Sequence, residues 1–245
     1  MTLCEFFGCA FMAFGPAIAM FILTIAQDPI SIIIVFASGF FWLLSALLSS
    51  IIWLFFGLSS MSPQVQLALS VIFSVHCQEV FRFLLYLTLT SLDDGLKNMI
   101  ESSTPIINRK MLGYSAGIGF GVMSGVFAII NVLADAVGPA TMGLKAGSES
   151  FFLISSCSTL CFVLLHVFWS VIFFAALDQY RANKIQLLFV LVTHLLASSL
   201  TLLNSGGPFA ASLVPNYLIV ILTACVAFHA AGGSISSLKS SLTRQ

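Results

Sequence analysis

GYSAGIGFGVMSGVFAIINVLAD, residues 113–135, carries glycine at 113, 117, 121 and 125, with Gly119 and Ser124 between them. In an α-helix, residues four apart lie one above the other, so Gly113, Gly117, Gly121 and Gly125 leave one face bare for four turns. In water such a helix is poor, because each glycine costs about 1 kcal/mol relative to alanine. In lipid the balance reverses. Helices gain nothing by hiding apolar side chains from equally apolar acyl tails, so they associate by close backbone approach and a few interhelical hydrogen bonds. One GxxxG is a weak pattern, and three overlapping copies are a much stronger one. Two uses fit the stripe, ordinary packing within the chain and a docking seam for a partner helix, and both can hold along different turns.

The rest of the chain supports a membrane setting. Its 245 residues are 59% hydrophobic and only 7% charged, with a mean hydropathy of +1.09. No soluble domain of this size has that composition, so the chain reads as an all-α integral membrane protein. The formal net charge is zero and no basic or acidic run points to nucleic acid. The six cysteines all fall in or at the ends of apolar segments and form no CxxC pair, so neither a disulfide framework nor a metal site is expected. No cofactor motif stands out. The first apolar segment lacks a basic n-region and a small-residue cleavage site, and reads as a retained helix.

Seven spans are expected, at about 3–26, 30–57, 65–90, 111–137, 151–177, 185–203 and 212–231, in one membrane domain covering 1–245. Gly15-Pro16 should kink the first. Residues 91–110 form a loop in which Leu92, Leu96, Met99 and Ile100 follow helical spacing, as a short interfacial helix would. Residues 232–245 are a tail. Lysine and arginine then set the orientation. With the N-terminus lumenal or extracellular, the cytosolic loops and tail hold Lys97, Arg109, Lys110, Arg181, Lys184, Lys239 and Arg244, against Lys145 alone outside. Seven to one predicts a cytosolic C-terminus.

Ionisable groups inside the hydrocarbon are functional candidates, because each costs about 2.5 kcal/mol or more unless paired. Glu79 and Arg82 share a helical face, which His76 extends. His166, His194 and Glu79 each lie nine to eleven residues from an inner span end, or roughly 14–17 Å at 1.5 Å per residue. One cluster of Glu79, His166 and His194 is therefore expected near mid-bilayer, with Arg82 a turn closer to the cytosol. It reads either as a satisfied network that fixes helix register or as a proton relay, metal site or catalytic centre. The structural reading is favoured, since no metalloprotease HExxH is present. Asp178, at a span end, is expected to be merely solvated. Ser124-Gly125 with His194 suggests a rhomboid-type serine protease, but that arrangement needs Gly-x-Ser-Gly and position 122 is Val.

Eight strings occur in order: FFGC (6–9), FGPA (14–17), QEVFRF (78–83), GxxxGxxxG (117–125), INVLADAVGP (130–139), LLHVFW (164–169), THLL (193–196) and AGGS (231–234). Together they resemble the anterior pharynx-defective family, the seven-span scaffold subunit of γ-secretase. The resemblance runs from Leu3 into the tail. It implies a non-catalytic role in assembling an intramembrane protease with presenilin, nicastrin and the presenilin enhancer as partners, with presenilin supplying the catalytic aspartates. It also implies residence in the endoplasmic reticulum, Golgi and plasma membrane among membrane lipids. The family's assembly glycines fall on Gly117, Gly121 and Gly125, and its intramembrane histidines on His166 and His194; Gly113 adds a turn to the bare face.

A fainter likeness is to the glutamate-dependent CAAX proteases, which use EExxxR, FxxxH and HxxxN/D on successive helices. Here Gln78-Glu79 stands with Arg82 one residue too close, then Phe162 with His166, then His194 with Ser198. Gln78 cannot act as a general base, and such a chain looks like a former protease core kept for its packing. The first rival reading is a cryptic hydrolase using Glu79, His166 and His194. A seven-span receptor is the second, without an Asp-Arg-Tyr-like end on the third span or an Asn-Pro kink on the seventh.

Overall fold

The computed structural model describes residues 3–57, 61–100, 108–137, 149–179, 183–206, 209–234 and 236. Among the described residues there are seven α-helices and no strand: α1 (Leu3–Thr24), α2 (Pro29–Gly57), α3 (Pro63–Ile100), α4 (Arg109–Val137), α5 (Glu149–Leu177), α6 (Lys184–Leu200) and α7 (Ala210–Ala230). A 3-10 turn, Thr201–Gly206, links the last two. All seven helices are long and apolar enough to cross a membrane. This is an all-α, multi-pass membrane protein. Of the residues used in the charge count, Lys145, Arg181, Lys239 and Arg244 lie outside the described residues.

α5 is the axis of the bundle, in contact with α1, α4, α6 and α7. Val163, Leu165, Trp169, Ile172 and Phe174 on it are all buried, so apolar residues face inward on every side of this helix. α4 lies against α5, α2 and α1, while α3 is held between α2 and α6. One rim of the bundle, here called the α1–α2 end, is where α1, α3, α5 and α7 finish and α2, α4 and α6 begin. Contacts across that rim, such as Thr24 Oγ1 with Tyr114 Oη (3.2 Å) and Tyr86 Oη with Asp178 Oδ1 (2.9 Å), tie its helices together.

The bare face of α4 is filled from within the chain, by α5. A Cβ placed on Gly117 would lie 2.7 Å from Val167 Cα and 2.9 Å from Val167 O. On Gly121 it would lie 2.6 Å from Val163 O, and on Gly113 3.1 Å from Phe174 Cβ. At Gly125 the neighbours are side chains, with Val163 Cγ2 at 2.7 Å. Gly119 points the other way, where Val35 O and Ser38 of α2 occupy the place a side chain would need. Two neighbours thus use two faces of one helix. Backbone approach this close gives dispersion and Cα–H···O contacts that a lipid-facing surface cannot offer.

The third helix differs from the expectation. It does not stop near Thr90 to give way to a separate interfacial helix, but continues to Ile100. At 1.5 Å per residue its 38 residues span about 57 Å, well beyond the roughly 30 Å of hydrocarbon. The charges that lower hydropathy here also support the helix. Lys97 Nζ lies 2.9 Å from Asp93 four residues earlier and 3.0 Å from Asp94, spacings that stabilise a helix. Asp93 is buried against the bundle, whereas Leu92, Leu96 and Met99 are exposed. Asp178 is likewise more than solvated, since it accepts from Tyr86 and lies 3.5 Å from Arg109. α1 runs without a break through Pro16. At the start of α2, Asp28 accepts from Ile30 N, Ser31 N and Ser31 Oγ ahead of Pro29. That is an N-cap followed by proline at the first helical position, and the Ser31 hydroxyl in particular holds the Asp28 carboxyl below its usual range.

Gly121→Leu should lower the stability of the full chain by about 1–3 kcal/mol or more, as overpacking of a tight interior does. Gly15→Leu should be near neutral, because nothing lies within 4 Å of a Cβ there. Thermal unfolding in mild detergent compares the two; equal melting temperatures would contradict the seam.

Candidate functional site

Three helices bring polar groups to one place inside the bundle. α3 supplies Glu79 and Arg82, one turn apart, α5 supplies His166, and α6 supplies His194. Arg82 Nη1 lies 2.5 Å from Glu79 Oε1 and 2.6 Å from Oε2. Its Nη2 lies 2.9 Å from His166 Nδ1. His194 Nδ1 in turn lies 2.6 Å from Glu79 Oε1. The structure therefore joins all four residues. The backbone of Arg82 stands one turn along α3 from Glu79, and its guanidinium reaches back to bridge Glu79 and His166. Arg82 is fully buried, with its guanidinium carbon 5.1 Å from the ring centre of Phe120.

Donor chemistry fixes the tautomers. A guanidinium can only donate, so His166 Nδ1 accepts and the ring proton sits on Nε2. Glu79 as a carboxylate can only accept, so His194 Nδ1 carries a proton. Trp169 holds both rings in place. It meets His166 edge-on at 5.4 Å and stacks on His194 at 4.2 Å between ring centres. Its indole N–H donates to Thr193 Oγ1 at 2.9 Å, which fixes the stack. Trp169 is three residues beyond His166 and Thr193 adjoins His194, so LLHVFW and THLL carried this signal without revealing that the two would meet. His76 stays out of the cluster: its Nδ1 is 2.7 Å from Ile72 O on its own helix.

The cluster lies between two cavities. One, of about 330 Å³, is lined by Trp42, Gln78, Ser124, His166, His194 and Ser198. Trp42 Nε1 and Gln78 Oε1, both buried, have no hydrogen-bond partner among the described residues. The other, of about 470 Å³, opens between α3 and α6 beside His76, Glu79, Phe83 and Leu188. Ser124 and Ser198 share the first cavity with both imidazoles, yet neither hydroxyl is hydrogen-bonded to a histidine among the described residues. Glu79 has each carboxylate oxygen engaged by Arg82, and one by His194 as well. These contacts use three of the roughly four lone-pair positions of a carboxylate, and they tie Glu79 to its own helix and to α6. The arrangement is suited to locking three helices together.

Comparison with known proteins matches residues 4–234 to a family model described as Aph-1 protein. The Gamma-secretase subunit Aph-1 of Drosophila melanogaster is 47% identical over 245 residues, covering 100% of each chain. The Gamma-secretase subunit APH-1B of Homo sapiens is 41% identical over 244 residues, covering 98% of this chain and 93% of its own length. The Gamma-secretase subunit APH1-like of Arabidopsis thaliana is 34% identical over 229 residues, covering 91% of each.

Breaking the buried pair on one side should cost more than removing it whole. Arg82→Gln, which leaves Glu79 uncompensated, is expected to destabilise by about 3–5 kcal/mol. The Glu79→Gln/Arg82→Gln double variant should recover part of that loss, read as a double-mutant cycle in thermal unfolding. Simple additivity of the two single losses would argue against a coupled pair.

Proposed function

The chain belongs to the Aph-1 family, and we propose that it is a non-catalytic scaffold subunit of a γ-secretase complex. In this reading it stabilises presenilin, nicastrin and the presenilin enhancer, and presenilin carries out the proteolysis. Full-length similarity to relatives named as γ-secretase subunits supports the complex. One observation supports the non-catalytic part: Glu79, the carboxylate a hydrolase would use, is ion-paired to Arg82 through both oxygens and hydrogen-bonded by His194. The cluster then acts as an interhelical lock. The glycine stripe serves assembly indirectly, by giving α4 and α5 the shape that partners meet, because the stripe itself is covered by α5.

The proposed orientation places the N-terminus on the lumenal side and the α1–α2 end of the bundle in the cytosol, from the distribution of basic residues. Single cysteines at positions 145 and 184, in a background without native cysteines, should be labelled from opposite sides of sealed vesicles. Labelling from the same side would overturn this orientation.

Activity per assembled complex separates the scaffold from the hydrolase. Truncating His166 or His194 to Ala strands its buried partners, typically at about 1–3 kcal/mol each, which is enough to lower abundance in a cell. His166→Ala and His194→Ala should therefore lower proteolysis in proportion to the complex that co-purifies with presenilin and nicastrin. Glu79→Gln should also leave activity per complex unchanged. A fully assembled but inactive Glu79→Gln complex would make Glu79 the general base and restore the hydrolase reading.

A further inference from the structure

We propose that the α1–α2 end of the bundle binds an anionic glycerophospholipid in a cavity between α4, α5 and α7. The cavity holds about 310 Å³. It exists because α4 and α7 each pack on α5 but hardly on each other, leaving a groove over the last turns of α5. Gly113 helps to open it. The glycine lines the floor without a side chain, beside Val171 and Phe174 of α5. The floor is apolar, from Gly113, Val171, Phe174, Ala175 and Ala230, and the mouth is polar, from Arg109, Lys110, Asp178 and Gln179.

Charge and depth select the ligand. Arg109 is shared between Asp93 at 3.4 Å and Asp178 at 3.5 Å. The Lys110 ammonium stands beside Gly232 at the end of α7 and pairs with no carboxylate among the described residues. Arg109 is thus already answered by carboxylates, and the charge left at the mouth is that of Lys110, which one negative headgroup neutralises. Arg109 opens α4, and Asp178 and Ala231 follow the ends of α5 and α7, so the mouth lies at the level where helices leave the membrane. Gly113 is about 6 Å deeper and Val171 about 10 Å deeper, at the helical rise. A phosphate therefore sits over Lys110 and Arg109 while the first methylenes cover the floor. Free phosphate would leave the floor uncovered, and a neutral apolar molecule would leave Lys110 without an anion. The site rests on the seven-helix architecture, and its failure would leave the scaffold reading untouched.

Native mass spectrometry of the delipidated full chain, titrated with phosphatidylserine and separately with phosphatidylcholine, tests the site. Wild type should retain phosphatidylserine in preference. Lys110→Gln should lower that retention about fivefold, the effect of one basic residue near a lipid headgroup, and leave phosphatidylcholine unchanged. Lys184→Gln, at the same end but outside the cavity, should change neither. Ala230→Phe, which fills the floor, should lower retention of both, and inorganic phosphate should not displace the bound lipid. Equal retention of the two lipids by wild type would overturn the proposal. So would unchanged phosphatidylserine binding in Lys110→Gln or Ala230→Phe, an equal loss in Lys184→Gln, or displacement by inorganic phosphate.

Discussion

A charge buried among apolar helices cannot be left alone, and the position of Arg82 in the bundle follows from that constraint. Its ion pair with Glu79 lies within one helix, so it settles the charge locally. Two further bonds, Arg82 to His166 and Glu79 to His194, extend that pair to α5 and α6. α3 packs mainly on α2 and α6, so the arginine carries the link to the central helix with a side chain and not with backbone contact. Desolvating such a pair is costly, and replacing it by apolar groups can even stabilise a protein. What the pair supplies is register: three helices must stand at matching heights for the Arg82–His166 and Glu79–His194 bonds to form together.

The glycine seam and the polar cluster support each other. Gly117 and Gly121 set α4 against Val167 and Val163, residues that flank His166 on α5. Phe120, between the same glycines, faces the guanidinium of Arg82. The close approach thus fixes the height and rotation of α5, and through it the direction in which His166 points. A small displacement along the seam would be felt as a lost hydrogen bond between α5 and α3.

Composition and periodicity made the seven helices legible, because twenty apolar residues in a row have few other folds available. The glycine stripe showed that a backbone comes close, but any neighbour would satisfy such a face, and α5 could not be singled out. Glu79, His166 and His194 were placed by counting helical rise, which locates backbones. The same count sets the Arg82 backbone a turn away, and which partner its charge would reach was not legible, because a long side chain carries its charge several ångströms from its own Cα. Asp93, Asp94 and Lys97 hid the continuation of α3, since they end a hydropathy plot without ending a helix. Trp169 and Thr193 were visible beside the histidines, but their hydrogen bond crosses from α5 to α6 and has no trace in either segment alone.

The chemical nature of the atoms facing the glycines also governs how the chain can evolve. At Gly117 and Gly121 the obstructing atoms include the Val167 and Val163 carbonyl oxygens, which every amino acid presents alike. No substitution on α5 can remove them, so a side chain gained at either position has no second-site suppressor across the seam. Gly125 is different, because it faces the side chains of Val163, Phe14 and Thr159, and a smaller residue there could absorb a methyl group. Within one repeating motif, two positions are therefore closed to compensatory drift while a third is open to it.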